Sequence, residues 1–118
     1  LAISTAWENI IDAKHEFYTY EAKYIDEDAN RVEIPANISD NLLKEMQYDA
    51  EKAYRALNIK WFARIDFFID KKTGKYYLNE VNTMPEFTRQ SMYPKLFGKC
   101  GIAFNDLIDR LIVLGKEI

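Results

Sequence analysis

The segment Arg64 to Ser91, RIDFFIDKKTGKYYLNEVNTMPEFTRQS, decides how the rest of the 118 residues are read. Two apolar and aromatic runs, Trp61 to Ile69 and Tyr76 to Val81, flank a turn-forming cluster from Asp70 to Gly74, so the segment reads as a β-hairpin followed by a polar loop. Side chains alternate across a strand, which puts Arg64 and Asp66 on one face and Ile65 and Phe67 on the other. Glu80 and Asn82 share a face of the second strand in the same way. If the two polar faces coincide, Asp66, Glu80 and Asn82 form a compact set of hard oxygen donors beside the cation Arg64.

That set suits magnesium and phosphate. Magnesium gives up its water reluctantly, so proteins offer it one or two carboxylates and leave the other positions to water and nucleotide phosphate oxygens. Glu80 has two oxygens with which to bridge a pair of ions, and an adjacent arginine can stabilise charge that develops on an oxyanion. A carboxylate pair alone is an ordinary surface feature. Here Ile65, Phe67 and Phe68 flank Asp66, which implies a largely buried strand in which an unpaired carboxylate would be costly, so a partner for Asp66 is expected.

Upstream of the hairpin, the pattern predicts a helix from Asp40 to Leu57, capped by Ser39 or Asp40, with Leu43, Met46, Ala50, Ala53 and Leu57 on its core face. Phe17 to Tyr24 alternates as a strand that runs into a loop, and Asp26 to Asn30 reads as a solvated turn. Residues 1–15 have no clean period and fit an edge strand or a short helix. The order β-α-β-β indicates an α+β fold, an antiparallel sheet with helices packed on it. Downstream, Met84 to Phe87 breaks the strand. A short helix follows from about Pro94 to Lys99, ended by Gly101, and an amphipathic helix from Asn105 to Gly115 is expected to pack on the sheet.

Composition narrows the function classes. With 48% apolar residues the chain is not disordered, and a net charge of −3 gives no basic patch for nucleic acid. Cys100 is the single cysteine, which excludes an internal disulfide framework, fits a reducing cytoplasm, and reads as a small buried residue near a helix end. The single histidine, His15, reads as a surface or hydrogen-bonded residue, because one imidazole makes a poor metal site. No apolar run spans a bilayer and Leu1 to Ile10 lacks the segments of a signal peptide, so a soluble, cytoplasmic protein without membrane contact is expected.

Four strings taken together, EFYTYEAKY, ARIDFF, LNEVNTMP and FTRQSMYPKL, resemble the C-terminal part of D-alanyl-D-alanine ligase, a member of the ATP-grasp superfamily. The resemblance runs from about Glu16 to the end of the chain and implies the C-terminal portion of an ATP-grasp ligase domain across residues 1–118, without the N-terminal substrate domain or the upstream ATP-binding part. It implies ATP and D-alanine as substrates, joined through an acyl phosphate for peptidoglycan synthesis, with two Mg2+ ions, or Mn2+, held by Asp66, Glu80 and Asn82. Glu80 and Asn82 would also face the nucleotide. Arg64 would stabilise the acyl phosphate. Lys23 and Ser91 would place the second substrate, and Tyr24 would order a loop that closes over the site.

In the resembling family glycine stands at the position of Glu86, which adds bulk and negative charge where phosphate and carboxylate gather. Three alternatives stay open at this point: a D-alanine-D-serine ligase, a D-alanine-D-lactate ligase, and an inactive ligase-derived binding remnant. The 118 residues alone are expected to show no ligase activity. Apolar surface left uncovered would promote self-association, as in a homodimer.

Overall fold

The structure, a computed structural model, describes residue 6, residues 8–11 and residues 30–117. Strands β1 (Glu8–Ile11) and β2 (Asn30–Glu33) pair antiparallel, with Glu8 opposite Glu33 and Ile11 opposite Asn30. Then come α1 (Asp40–Ala56), β3 (Arg64–Ile69), β4 (Tyr76–Asn82), α2 (Met92–Lys99) and α3 (Phe104–Lys116). The undecided N-terminal stretch thus contributes a strand, and Asn30, read as part of a turn, opens β2. The predicted strand Phe17 to Tyr24, including Lys23 and Tyr24, and the histidine at position 15 lie outside the described residues.

Helix α1 starts where Ser39 accepts a hydrogen bond on Oγ from Leu42 N at 3.1 Å, satisfying one of the free N–H groups of the first turn. Asp40 in the first turn and Arg55 in the last complement the helix dipole, and Arg55 pairs with Glu51 one turn back. Met46 is its buried residue. Leu57, expected on the core face, is instead 61% exposed, because the helix ends at Ala56 and Leu57 serves as the C-cap.

The hairpin turn is held by Asp70, whose Oδ1 accepts from Lys72 N at 2.8 Å, and by Gly74 at φ +74, a conformation that glycine adopts without strain. Ile65, Phe67 and Ile69 of β3 lie opposite Val81, Leu78 and Tyr76 of β4 on the more apolar face. Tyr76 ties this face to α1 by donating its hydroxyl proton to Asp49.

The buried core lies elsewhere. Tyr93 and Phe97 of α2 and Leu107 of α3 form a cluster joined by Phe62, Phe87, Ile102 and Leu111. Tyr93 is its hub, with its ring centroid 5.5 Å from Phe62, 5.6 Å from Phe87 and 5.2 Å from Phe97. Tilted aromatic pairs at such distances add to the gain from area burial. Helix α3 therefore packs through Leu107 on α2, where the amphipathic pattern had suggested the sheet. Cys100 is exposed as the C-cap of α2 rather than buried, and Gly101 at φ +89 turns the chain out of the helix.

Candidate functional site

Register decides whether the two polar faces of the hairpin meet. Asp66 lies opposite Glu80 and Arg64 opposite Asn82, and side chains of directly opposed residues leave the sheet on the same side. All four therefore stand on one face. A bulge makes this possible: Phe67 is opposite Leu78 while Asp66 is opposite Glu80, so Asn79 is an extra residue in β4. With regular pairing from Leu78 onward, Asn79 would face Asp66 and Glu80 would face Ile65, on the apolar side. The adjacent polar pair Asn79-Glu80, which breaks strict alternation, was the available sequence signal for that bulge.

Within the set, Arg64 donates from Nε to Asp66 Oδ1 and from Nη2 to Asp66 Oδ2, both at 2.9 Å. This two-bond fork is the strong geometry for a guanidinium and a carboxylate, and it supplies the partner that Asp66 was expected to need. The same Nη2 lies 3.7 Å from Glu80 Oε1. The hydrogen bond to Asp66 raises the Arg64 pKa, helped by the negative charges of Asp66 and Glu80 and opposed by partial burial, so the site carries a fixed positive charge.

Exposure differs across the face. The side chains of Arg64 and Asp66 are 26% and 28% exposed, whereas Glu80 is 55% exposed. Phe68, expected to help bury the strand, is 62% exposed, because it points to the same open face as Asp66. The face is thus open to a ligand. Asn82 spends one acceptor site of Oδ1 on Met84 N at 3.0 Å, which bends the chain into the following loop.

The donor set has the hard-oxygen chemistry that could hold a magnesium ion, once Asp66 is released from Arg64. It offers two carboxylates and one amide oxygen, and the exposure of Glu80 leaves room for water and phosphate oxygens at the remaining positions. Among the described residues no group of three or more His, Cys, Asp and Glu side chains could hold a metal ion, so a site here would rest on two carboxylates and the Asn82 amide.

The loop after β4 is anchored at several points. Pro85 and Ser91 are buried, Phe87 joins the core, and the Arg89 guanidinium stacks 4.5 Å over the Phe104 ring. Ser91 takes the N-cap position of α2, but its hydroxyl accepts from Thr88 N at 2.9 Å and shares a 2.7 Å hydrogen bond with Thr88 Oγ1. The structure therefore brings Arg64, Asp66, Glu80 and Asn82 together and leaves Ser91 bonded within its own loop. Thr88, which orders Ser91, gave no signal beyond its place in a polar run. Glu86 is exposed beside buried Pro85.

A family model described as D-ala D-ala ligase C-terminus matches residues 2–113. The chain is 51% identical over 103 residues to a D-alanine–D-alanine ligase of Treponema denticola, covering 87% of this chain and 28% of that protein. It is 44% identical over 117 residues to D-alanine–D-alanine ligase A of Bradyrhizobium diazoefficiens, covering 99% of this chain and 31% of that protein. Among solved structures, the D-alanine-D-alanine ligase of Coxiella burnetii aligns with a TM-score of 0.67 at 34% identity, over 72% of this chain and 24% of the other. The VanG D-Ala:D-Ser ligase of Enterococcus faecalis aligns with a TM-score of 0.74 at 30% identity, over 94% and 31%. The chain spans under a third of the length of these curated relatives.

Proposed function

The chain belongs to the D-Ala-D-Ala ligase C-terminal family, with the α+β arrangement of the C-terminal part of the ATP-grasp fold, and from that premise we propose that it supplies the metal-binding and acyl-phosphate side of an ATP-dependent D-alanine–D-alanine ligase. The observation that carries this reading is the meeting of Asp66, Glu80 and Asn82 on one face of the hairpin beside Arg64. In the reaction, the carboxylate of one D-alanine attacks the γ-phosphorus of ATP and releases ADP, and the amine of the second D-alanine then attacks the acyl phosphate, losing a proton and releasing inorganic phosphate. The dipeptide made in this way serves peptidoglycan synthesis, which places the enzyme in the cytoplasm.

Asp66, Glu80 and Asn82 would hold Mg2+, as one ion or two, with Mn2+ as a substitute. When held there, the ion would supply positive charge against the transferring phosphoryl group. Arg64 contributes a guanidinium whose planar donors match phosphate and carboxylate oxygens, and so stabilises the charge that collects on the acyl group. Lys23 and Ser91 position the second substrate, with Ser91 exchanging its Thr88 partner for the substrate carboxylate, and Tyr24 orders the covering loop. Glu86 brings a negative charge to the loop that follows Asn82 and lowers affinity for anionic groups there.

The test is a chimera in which these residues replace the matching C-terminal segment of the Treponema denticola ligase. Phosphate release that depends on both ATP and D-alanine is expected from the chimera and not from the 118 residues alone. Glu80→Gln should cut turnover by roughly 10²–10³-fold, in line with removal of one electrostatic contact in a transfer site. Activity retained in the Glu80→Gln chimera would remove the hairpin face from the mechanism.

The structural likeness to a D-Ala:D-Ser ligase favours one second reading, D-serine as acceptor. Offering the chimera D-serine and D-lactate beside D-alanine decides it. Glu86→Gly in the same chimera should lower the KM for substrate, and an unchanged KM would clear Glu86 of any role.

A further inference from the structure

The Arg64–Asp66 fork has a consequence for how the face is filled. Its Nε and Nη2 engage both oxygens of Asp66 at 2.9 Å, and the same Nη2 stands 3.7 Å from Glu80 Oε1. One nitrogen of the guanidinium thus stands within reach of both carboxylates that a divalent cation would use. Asp66 and Glu80 are cross-strand partners, and like charges directly opposite each other repel, so Arg64 relieves a strain that a metal ion would also relieve.

Resting on the metal-site reading above, we propose that Arg64 competes with the divalent cation for Asp66, and that filling the carboxylate pair releases the guanidinium to an anionic ligand on the same face. A divalent ion on Asp66 sets a second positive centre against the guanidinium, which disfavours keeping the fork intact. Asp66 and Glu80 are the ion-pair partners of Arg64 among the described residues, and the cation takes both. The freed donors then match a phosphate group in the two-bond geometry they held on Asp66. Because linkage is reciprocal, cation and phosphate each raise the affinity for the other. Arg64 would then be a charge that changes hands within the site as well as a fixed one.

The first measurement uses the unsubstituted chain. Arg64 Nε–H is held by Asp66 and Arg55 Nε–H is held by Glu51 at the same distance of 2.9 Å, so Arg55 is an internal control away from the hairpin. On titration with Mg2+, the Arg64 Nε–H resonance in a nitrogen-15 spectrum should move saturably while that of Arg55 stays in place. The second measurement is Mn2+ affinity from the signal of free ion. Arg64→Met should bind Mn2+ more tightly by on the order of tenfold, the scale of a lost charge-assisted pair. Arg64→Lys, which keeps the charge but cannot form the fork, should also bind more tightly than the parent. Equal affinity of the Arg64→Lys variant and the parent, with a stationary Arg64 resonance, overturns the competition. If Asp66→Asn leaves Mn2+ affinity unchanged, the metal-site reading itself fails.

Discussion

Two regions of the molecule divide its work differently. Around Tyr93, Phe97 and Leu107 the chain is closed, with aromatic rings tilted on one another and little polar chemistry. On the Arg64–Glu80 face of the hairpin it is half open, and charges and hydrogen bonds take the place of packing. The contrast shows how a small α+β unit can hold a polar face in register without burying it. The aromatic core takes in Phe87 from the loop that leaves β4, while the charged face stays where a ligand can reach it.

If that division is right, damage to the core should cost stability most. Phe97→Ala is expected to lose about 3–5 kcal/mol of unfolding free energy, the range for truncating a buried phenylalanine. A denaturant titration measures it, and a loss below about 1 kcal/mol would mean that the cluster is not the centre of stability.

The core should also announce itself at alkaline pH. Burial, with a smaller push from Tyr54, raises the Tyr93 hydroxyl pKa to about 12, and a hydrogen bond to Asp49 raises that of Tyr76 to about 12. Both groups are neutral when protonated. Their raised folded values therefore add stability that is complete below pH ~10, the unfolded value, and is lost as pH climbs through about 12. Thermal melts should fall across that window, and Tyr76→Phe should leave the part due to Tyr93. A flat profile in that variant would indicate that the Tyr93 hydroxyl reaches water.

Smaller effects are expected at the hairpin. Tyr76→Phe removes the hydroxyl that ties β4 to α1 and should lower the melting temperature by less than Phe97→Ala does, because one net hydrogen bond is worth less than a buried phenylalanine. Arg64→Met should change stability by about 1 kcal/mol or less, because the pair with Asp66 is more than a quarter exposed and solvent screens it. It should nevertheless change cation affinity. A loss at Arg64 as large as that at Phe97 would erase the distinction between the two regions.

The grouping of polar side chains on the hairpin was legible in the sequence. The period-two pattern put Arg64 with Asp66 and Glu80 with Asn82, and the turn chemistry of Asp70 to Gly74 joined the two strands. Ser39 announced α1, and the hydrophobic spacing found α2 and α3 to within two residues at either end. Leu57 and Cys100 were misjudged because each is the C-cap that follows its helix, Phe68 because it shares the open face of Asp66, and Asn30 because it opens β2. Ser91 was legible as a loop residue, but its bond to Thr88 was not.

Sequence by itself determined which residue types alternate and where the chain must turn, because those follow from local backbone geometry and need no partner. Tertiary structure decided the rest. The extra residue Asn79 sets the register that brings Glu80 opposite Asp66, and the packing of α3 on α2 gathers the core around Tyr93, Phe97 and Leu107. Both outcomes depend on contacts between segments distant in sequence, and a periodic pattern names a face without naming what that face will meet.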